Sequence, residues 1–218
     1  MQQADNSLSG DCRSVRSGSG PAVLALASVL LLGACEARLD LSGVEQTLNQ
    51  AVRRTDQLMV LERVEEQLIV LGNDGLLLRR GAASELWQRQ QLERDGVHPD
   101  FIAGALCGDG SLVALSYQAE VWQTRDGGDS WHIESLPTEE DVQDIECTAD
   151  NQLWVVGSYS TLLHRAAAGS EWQQSSLQED AMLTAVTFAS LEDGYAAGEF
   201  GLLAVTEDGG ANWRVVDP

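Results

Sequence analysis

A tryptophan recurs at Trp87, Trp131, Trp172 and Trp213, with spacings of 44, 41 and 41 residues. Fifteen residues before each stands a small residue, Gly72, Ser116, Gly157 or Gly198, and the register needs no gap. Five residues after that small residue comes Leu77, Val121, Leu162 or Leu203. Apolar runs of strand length precede it: L-I-V-L (68–71), L-V-A-L (112–115), L-W-V-V (153–156) and Y-A-A (195–197). Each unit thus offers a strand A (near 57–62, 101–107, 142–147 and 183–188), a strand B before the turn, a strand C after it and a strand D at the Trp. Four short strands joined by tight turns, repeated every 40–45 residues, are the pattern of a β-propeller blade. A β-sandwich with regular turns has no reason to keep a gapless four-fold register. The expected fold is all-β, a propeller-like array of four four-stranded antiparallel blades at about 56–94, 95–136, 137–177 and 178–218.

Two of the turns before strand D share a motif. The second unit reads Thr124-Arg125-Asp126-Gly127-Gly128-Asp129-Ser130-Trp131, and the fourth reads Thr206-Glu207-Asp208-Gly209-Gly210-Ala211-Asn212-Trp213. Both fit the Asp-box pattern. In it Asp accepts hydrogen bonds from turn amides, Gly supplies positive φ and the Trp covers the hairpin, which predicts that Trp131 and Trp213 are buried. The first and third units keep the Trp but lack the Asp. The fuller pattern G-Y-A-A-G-E-F-G-L-L-A-V-T-E-D-G-G-A-N-W (194–213), with R-R-T-D-Q (53–57) before the first strand, resembles the photosystem II stability/assembly factor family of Asp-box, or BNR-repeat, propellers. That resemblance covers about residues 54–218. It implies a propeller of about seven blades, a role in helping membrane complexes assemble, and no catalysis. Four units leave three readings open: a truncated gene product, half of a dimeric ring, or a small four-blade propeller. An open-ended array would leave blade faces uncovered, at a cost in stability.

The first residues carry a different message. Pro21 to Leu32 is an apolar run too short for a permanent membrane span and of the length of a signal-peptide core. It ends in Leu32-Gly33-Ala34-Cys35, which resembles the bacterial lipobox, where a Cys becomes the lipidated N-terminus. Residues 1–34 are then a lipoprotein signal peptide, 35–55 a lipid-anchored tether and 56–218 the Asp-box domain. Lipid chains contribute roughly 0.8 kcal/mol per buried CH₂, so multiple acylation anchors stably. The expected location is the bacterial envelope, facing the periplasm. Glu36, where Asp would favour inner-membrane retention, tilts the expectation toward the outer membrane.

Charge excludes one class of partner. The chain carries 34 acidic residues against 13 basic ones, all Arg, for a formal net charge of −21. Such a surface repels phosphate, so no nucleic-acid partner is expected. No metal or cofactor is expected either: His98, His132 and His164 lack ligand-spaced partners, and Glu139-Glu140-Asp141 lacks the spacing of a Ca²⁺ loop. Catalysis of the sialidase kind needs three converging Arg and a Tyr–Glu pair, an arrangement the sequence does not repeat. Cys107 and Cys147 fall at near-equivalent points of neighbouring A strands. An oxidising periplasm permits a bridge, but bridged Cα atoms lie within about 7 Å. Two buried free thiols are the expectation.

In a propeller the D-to-A loops and B-to-C turns share one rim, and the Asp-box turns lie on the other. The first rim carries Tyr117, Tyr159 and Phe200 at turn tips and the acidic runs Glu139-Glu140-Asp141 and Glu179-Asp180. Exposed aromatics ringed by charge fit a protein contact. The expected function is therefore a non-enzymatic, membrane-tethered module that binds a protein with a basic patch and assists assembly or stability of an envelope complex. Self-association is expected if the propeller is incomplete. The alternatives are a carbohydrate-binding or sialidase-type propeller and a truncated remnant.

Overall fold

The computed structural model describes residues 43, 50–166 and 168–216. Of two compact units, Met1–Val44 and Glu45–Pro218, the second holds every strand among the described residues. The expected signal peptide, Cys35 and most of the expected tether lie outside the described residues.

Among the described residues, sixteen strands form four antiparallel sheets, each in sequential order. Blade one comprises β1 (Leu58–Val64), β2 (Gln67–Gly72), β3 (Leu76–Gly81) and β4 (Gln88–Gln91). Blade two comprises β5 (Phe101–Leu106), β6 (Leu112–Ser116), β7 (Glu120–Thr124) and β8 (His132–Ser135). Blade three comprises β9 (Val142–Cys147), β10 (Leu153–Gly157), β11 (Thr161–Arg165) and β12 (Gln173–Ser176). Blade four comprises β13 (Leu183–Phe188), β14 (Gly194–Gly198), β15 (Leu203–Thr206) and β16 (Arg214–Val215). The array is the all-β, propeller-like one that the repeat predicts.

Most of the core lies between blades, while a smaller cluster of Val70, Leu76 and Leu78 with Trp87 belongs to blade one alone. Every residue of β6 and β10 is buried, because each strand has a neighbouring blade on both faces. Strictly alternating strands would have only one covered face. Ile69, Leu71 and Leu77 of blade one meet Phe101, Leu112, Ala114 and Trp122 of blade two. Val113, Leu115 and Val121 then meet Val142, Ile145, Val155 and Leu163. Trp154, Val156 and Leu162 meet Leu183, Val186, Ala196 and Ala204.

Polar contacts stitch the same seams. Arg79 pairs with Asp129 and Arg165 with Glu134 across blade boundaries. Asp144 Oδ2 accepts a hydrogen bond from the Val186 amide at 2.9 Å. The R-R-T-D-Q stretch is pinned to blade one, where Asp56 receives both Arg89 guanidinium nitrogens at 2.7 and 3.0 Å. Burial alone would raise the Asp56 pKa, but bonds from Arg89 and the Arg53 amide outweigh it and hold the carboxyl low.

The expectation of free thiols is wrong. Cys107 and Cys147 form a disulfide, with Cα atoms 5.0 Å apart. The inner strands converge at this end of the blades. A Cβ on Gly108 would collide with the carbonyl oxygen of Ala149, and the Asp109 amide donates to Asn151 Oδ1 at 2.8 Å. Absence of a side chain at Gly108 is what lets the two A-to-B turns approach closely enough for the bridge.

Candidate functional site: an aromatic, acidic rim

Each B-to-C turn is bonded to the residue just before strand A of its own blade. The amides of Asn73, Tyr117, Ser158 and Glu199 donate to the carbonyls of Gln57, Asp100, Asp141 and Met182 at 3.2, 2.8, 2.9 and 2.9 Å. This places the B-to-C turns and D-to-A loops on one rim. A Cβ at Gly72, Gly157 or Gly198 would strike the carbonyl of Gln57, Asp141 or Met182, which accounts for glycine at three of the four turn starts.

Tyr159 and Phe200 sit at the second turn position with φ 52° and 56°. The left-handed region costs a bulky residue roughly 1–2 kcal/mol, so both turns hold an unfavourable conformation. Hydrogen bonds sustain it: the Leu202 amide donates to Glu199 O at 2.9 Å, and Ser176 Oγ donates to Tyr159 O at 2.8 Å. Neither ring folds down onto its blade. Tyr159 is 61% exposed and Phe200 is 90% exposed.

The acids expected on this rim gather beside these two rings. A cavity of about 290 Å³ is lined by Glu139, Glu140, Asp141, Tyr159, Asp180, Met182 and Glu199, among others. An adjoining one of about 300 Å³ is lined by Glu179, Asp180, Glu199, Phe200, Leu202 and Val215, among others. Neither has an Arg among the described residues of its lining. Glu140 Oε2 accepts from Ser158 Oγ at 3.0 Å, and Glu199 Oε2 accepts from the Met182 amide at 3.3 Å. Glu199 is a member that sequence reasoning missed. It stands one residue before Phe200 in the turn already singled out for its aromatic. Tyr117 is 64% exposed but lines neither cavity. Its turn starts with Ser116, places Tyr117 first rather than second, and puts the left-handed residue at Ala119.

The Asp boxes hold hairpins rather than a ligand. Thr124 Oγ1 donates to Asp126 Oδ1 at 2.8 Å and accepts from the Gly128 amide at 2.9 Å. Asp126 also accepts from the Ser130 amide at 2.9 Å and the Ser130 hydroxyl at 2.5 Å. Hydrogen bonds from Ser130 and then Thr124 hold its pKa down to about 2. Thr206, Asp208, Gly210 and Asn212 repeat the pattern at 2.7–2.9 Å. Gly127, Gly128, Gly209 and Gly210 all have positive φ. A Cβ on Gly210 would also collide with the Trp154 ring of the preceding blade. Trp131 and Trp213 are half-buried rather than buried, because each packs against an inter-blade cluster from its outer edge. Shorter boxes the sequence reading passed over hold A-to-B turns: Asp109 accepts from Ser111, and Thr148 donates to Asp150 at 2.5 Å. Their signal is the Asp two residues after Cys107 and Thr148.

Elsewhere, burial raises the pKa of Glu62, Asp144 and Glu146 on the inner strands. Burial lowers that of His164, which stacks on Trp154 at 4.1 Å. No cluster among the described residues is suited to hold a metal ion.

The family described as Photosynthesis system II assembly factor YCF48 matches this sequence over residues 80–180 and 123–217. No curated protein matches it. Among solved structures, YCF48 bound to D1 peptide superposes with a TM-score of 0.61 at 16% identity, over 76% of this chain and 55% of that one. YCF48 from Cyanidioschyzon merolae gives 0.60 at 13% identity, over 76% and 60%. A catalytically inactive virginiamycin B lyase from Staphylococcus aureus with quinupristin gives 0.64 at 8% identity, over 78% and 57%. The chain therefore spans little more than half the length of these structures. At such identities the likeness speaks for the propeller fold alone.

Proposed function

Because the chain belongs to the photosynthesis system II assembly factor YCF48 family, we propose that it is a non-enzymatic protein-binding module that assists assembly or stability of an envelope complex. The observation that carries this reading is the rim itself. Tyr159 and Phe200 are held exposed in strained turns beside cavities walled by Glu139, Glu140, Asp141, Glu179, Asp180 and Glu199. Exposed rings supply contact area at low entropic cost, while the carboxylates select a partner that presents Arg or Lys. That a YCF48 has been solved with a peptide supports a protein ligand.

In this reading the module is tethered by lipid on Cys35 and faces the periplasm, with the outer membrane favoured over the inner as its location. The bridge between Cys107 and Cys147 supports an oxidising compartment.

The test is affinity capture from native membranes, read by mass spectrometry, with wild type and a Tyr159→Ala/Phe200→Ala variant. The wild type is expected to retain a membrane-complex protein with a basic surface, and the folded variant to lose it. Equal capture by both would refute the rim as the binding face.

A further inference from the structure

Toward their outer edges, two of the seams between blades are closed by an ion pair. Arg79 of β3 meets Asp129 in the Asp-box hairpin of blade two, and Glu134 of β8 meets Arg165 of β11. The seam between blades three and four has neither pair. Arg79 stands in register with Ile69 and Gln88, and the same register puts His164 beside Trp154 and Gln173. Counting back from the Trp of each hairpin, Ala211 stands where Asp129 does, and Thr206 stands where Arg165 does. Ser175, paired with Leu162, takes the place of Glu134, paired with Val121. None of these four replacements is charged at pH 7, because burial lowers the His164 pKa below its ordinary value near 6.5.

A cavity of about 360 Å³ is left at this seam, lined by Trp154, His164, Gln173, Gln174, Ser175 and the blade-four hairpin at residues 209–211. That volume lies at the lower end of small-molecule sites. Gln173, Gln174 and Ser175 are exposed, so the cavity opens to solvent. It shares no residue with the two rim cavities. One donor in its wall is unused. Trp154 is 3% exposed, and its indole N–H finds no acceptor among the described residues. The other fully buried indole, that of Trp122, donates to Glu120 Oε2 at 3.1 Å. The indoles of Trp131, Trp172 and Trp213 also lack an acceptor, but those side chains are only half-buried. A buried donor left unpaired is costly, and a ligand that brings an acceptor removes that cost.

Among the described residues, the lining holds no carboxylate to attract a cation and no Arg to attract an anion. An apolar ligand would bury two carboxamides and a hydroxyl without partners. Those three groups each donate and accept, as sugar hydroxyls do. His164 is held beside them, stacked on Trp154 at 4.1 Å with its Nε2 against Gln152 Oε1 at 2.7 Å. We propose that this cavity binds one neutral sugar residue, free or at the end of a glycan chain, with its hydroxyls on Gln173, Gln174, Ser175 and the Trp154 indole N–H.

Two-dimensional NMR of the isotope-labelled full chain tests this, read at the Trp154 indole resonance, which a Trp154→Phe variant assigns. The probes are glucose, galactose, mannose, N-acetylglucosamine and their methyl glycosides at millimolar concentration. At least one should shift that resonance saturably, and its amino-sugar and uronic-acid analogues should bind at least tenfold more weakly. Equal or tighter binding of the methyl glycoside assigns a chain end, and tighter binding of the free sugar assigns a free monosaccharide. Gln173→Ala, at an exposed position that leaves the blade folded, should weaken binding at least fivefold. His164→Arg/Ala211→Asp, which rebuilds here the pair that Arg79 and Asp129 make, should abolish binding in a chain that circular dichroism shows to be folded. If that double variant does not fold, Gln173→Ala decides alone. No saturable shift with any probe overturns the proposal. So does a shift that Gln173→Ala leaves unchanged, equal binding of the charged analogues, or wild-type binding by the folded double variant.

Discussion

Reducing the bridge between Cys107 and Cys147 should cost this domain a large share of its stability. The two residues are 40 apart in sequence. Closing a loop of that length removes about 4 kcal/mol of denatured-state chain entropy at 25 °C. Both cysteines are buried in the cluster that holds Val113, Ile145 and Val155 in the seam between blades two and three, so reduction removes the cross-link without removing packed atoms. A domain of this size has roughly 5–15 kcal/mol in total. Each kcal/mol moves Tm by about 2–4 °C at 150–250 residues, so the expected fall is about 8–16 °C. The assay is urea unfolding followed by the fluorescence of buried Trp122 and Trp154, with and without reductant. A Cys107→Ala/Cys147→Ala variant, indifferent to reductant, separates this bridge from the other cysteines. A difference between oxidised and reduced wild type below about 1 kcal/mol would refute the reasoning, since no entropic estimate for such a loop is that small.

Trp213→Ala should cost about 3 kcal/mol, the low end for truncating a packed aromatic, because the ring is half-buried but meets Trp154 and Phe188 edge-on at 5.7 and 6.0 Å. A loss under about 1 kcal/mol in the same urea assay would mean that the ring only decorates the surface. Stability should peak on the acid side of neutrality. The raised Glu62, Asp144 and Glu146 bind protons more readily folded than unfolded, so stability rises as pH falls from 7 through their pKa values. Asp126, with a folded pKa of about 2, acts in the opposite sense: its contribution is complete above the unfolded value near 4 and is lost as pH falls toward 2. Thermal melts from pH 7 to pH 2 check both limbs, and a monotonic decline from neutrality, or a Glu146→Gln variant with an unaltered upper limb, would count against them. Cys35→Ser should release the protein from membranes or leave it unprocessed, and a membrane-bound variant of mature size on fractionation would remove the lipid anchor.

The blades were legible because a period of 41–44 residues repeats the same strands and turns four times, and β6 and β10 bury both faces between neighbours. Ile69, Val113 and Trp154 differ in size but fill the same position. The hairpin bonds of Asp126 and Asp208 were legible for a similar reason, since a local turn needs only local residues. The bridge between Cys107 and Cys147 was not. Its geometry depends on the distance between inner strands, which Gly108 sets through contact with Ala149 of the next blade. Clustering on the rim was legible in part. Glu139 and Asp180 come from different D-to-A loops, and only the packing of blades three and four brings them to one cavity. Tyr117 is exposed on the same rim, but it stands one turn position earlier and in blade two, so it lines neither cavity beside Tyr159 and Phe200.

The claim that the rim is the binding face is tested most directly by hydrogen–deuterium exchange of the chain alone and with its captured partner. The account predicts slower exchange in residues 138–141, 158–160, 179–182 and 199–201 on binding. It predicts no change in the Asp-box hairpins 124–131 and 206–213. Protection confined to those hairpins, with the Tyr159 and Phe200 turns exchanging as fast as in the free protein, would contradict it.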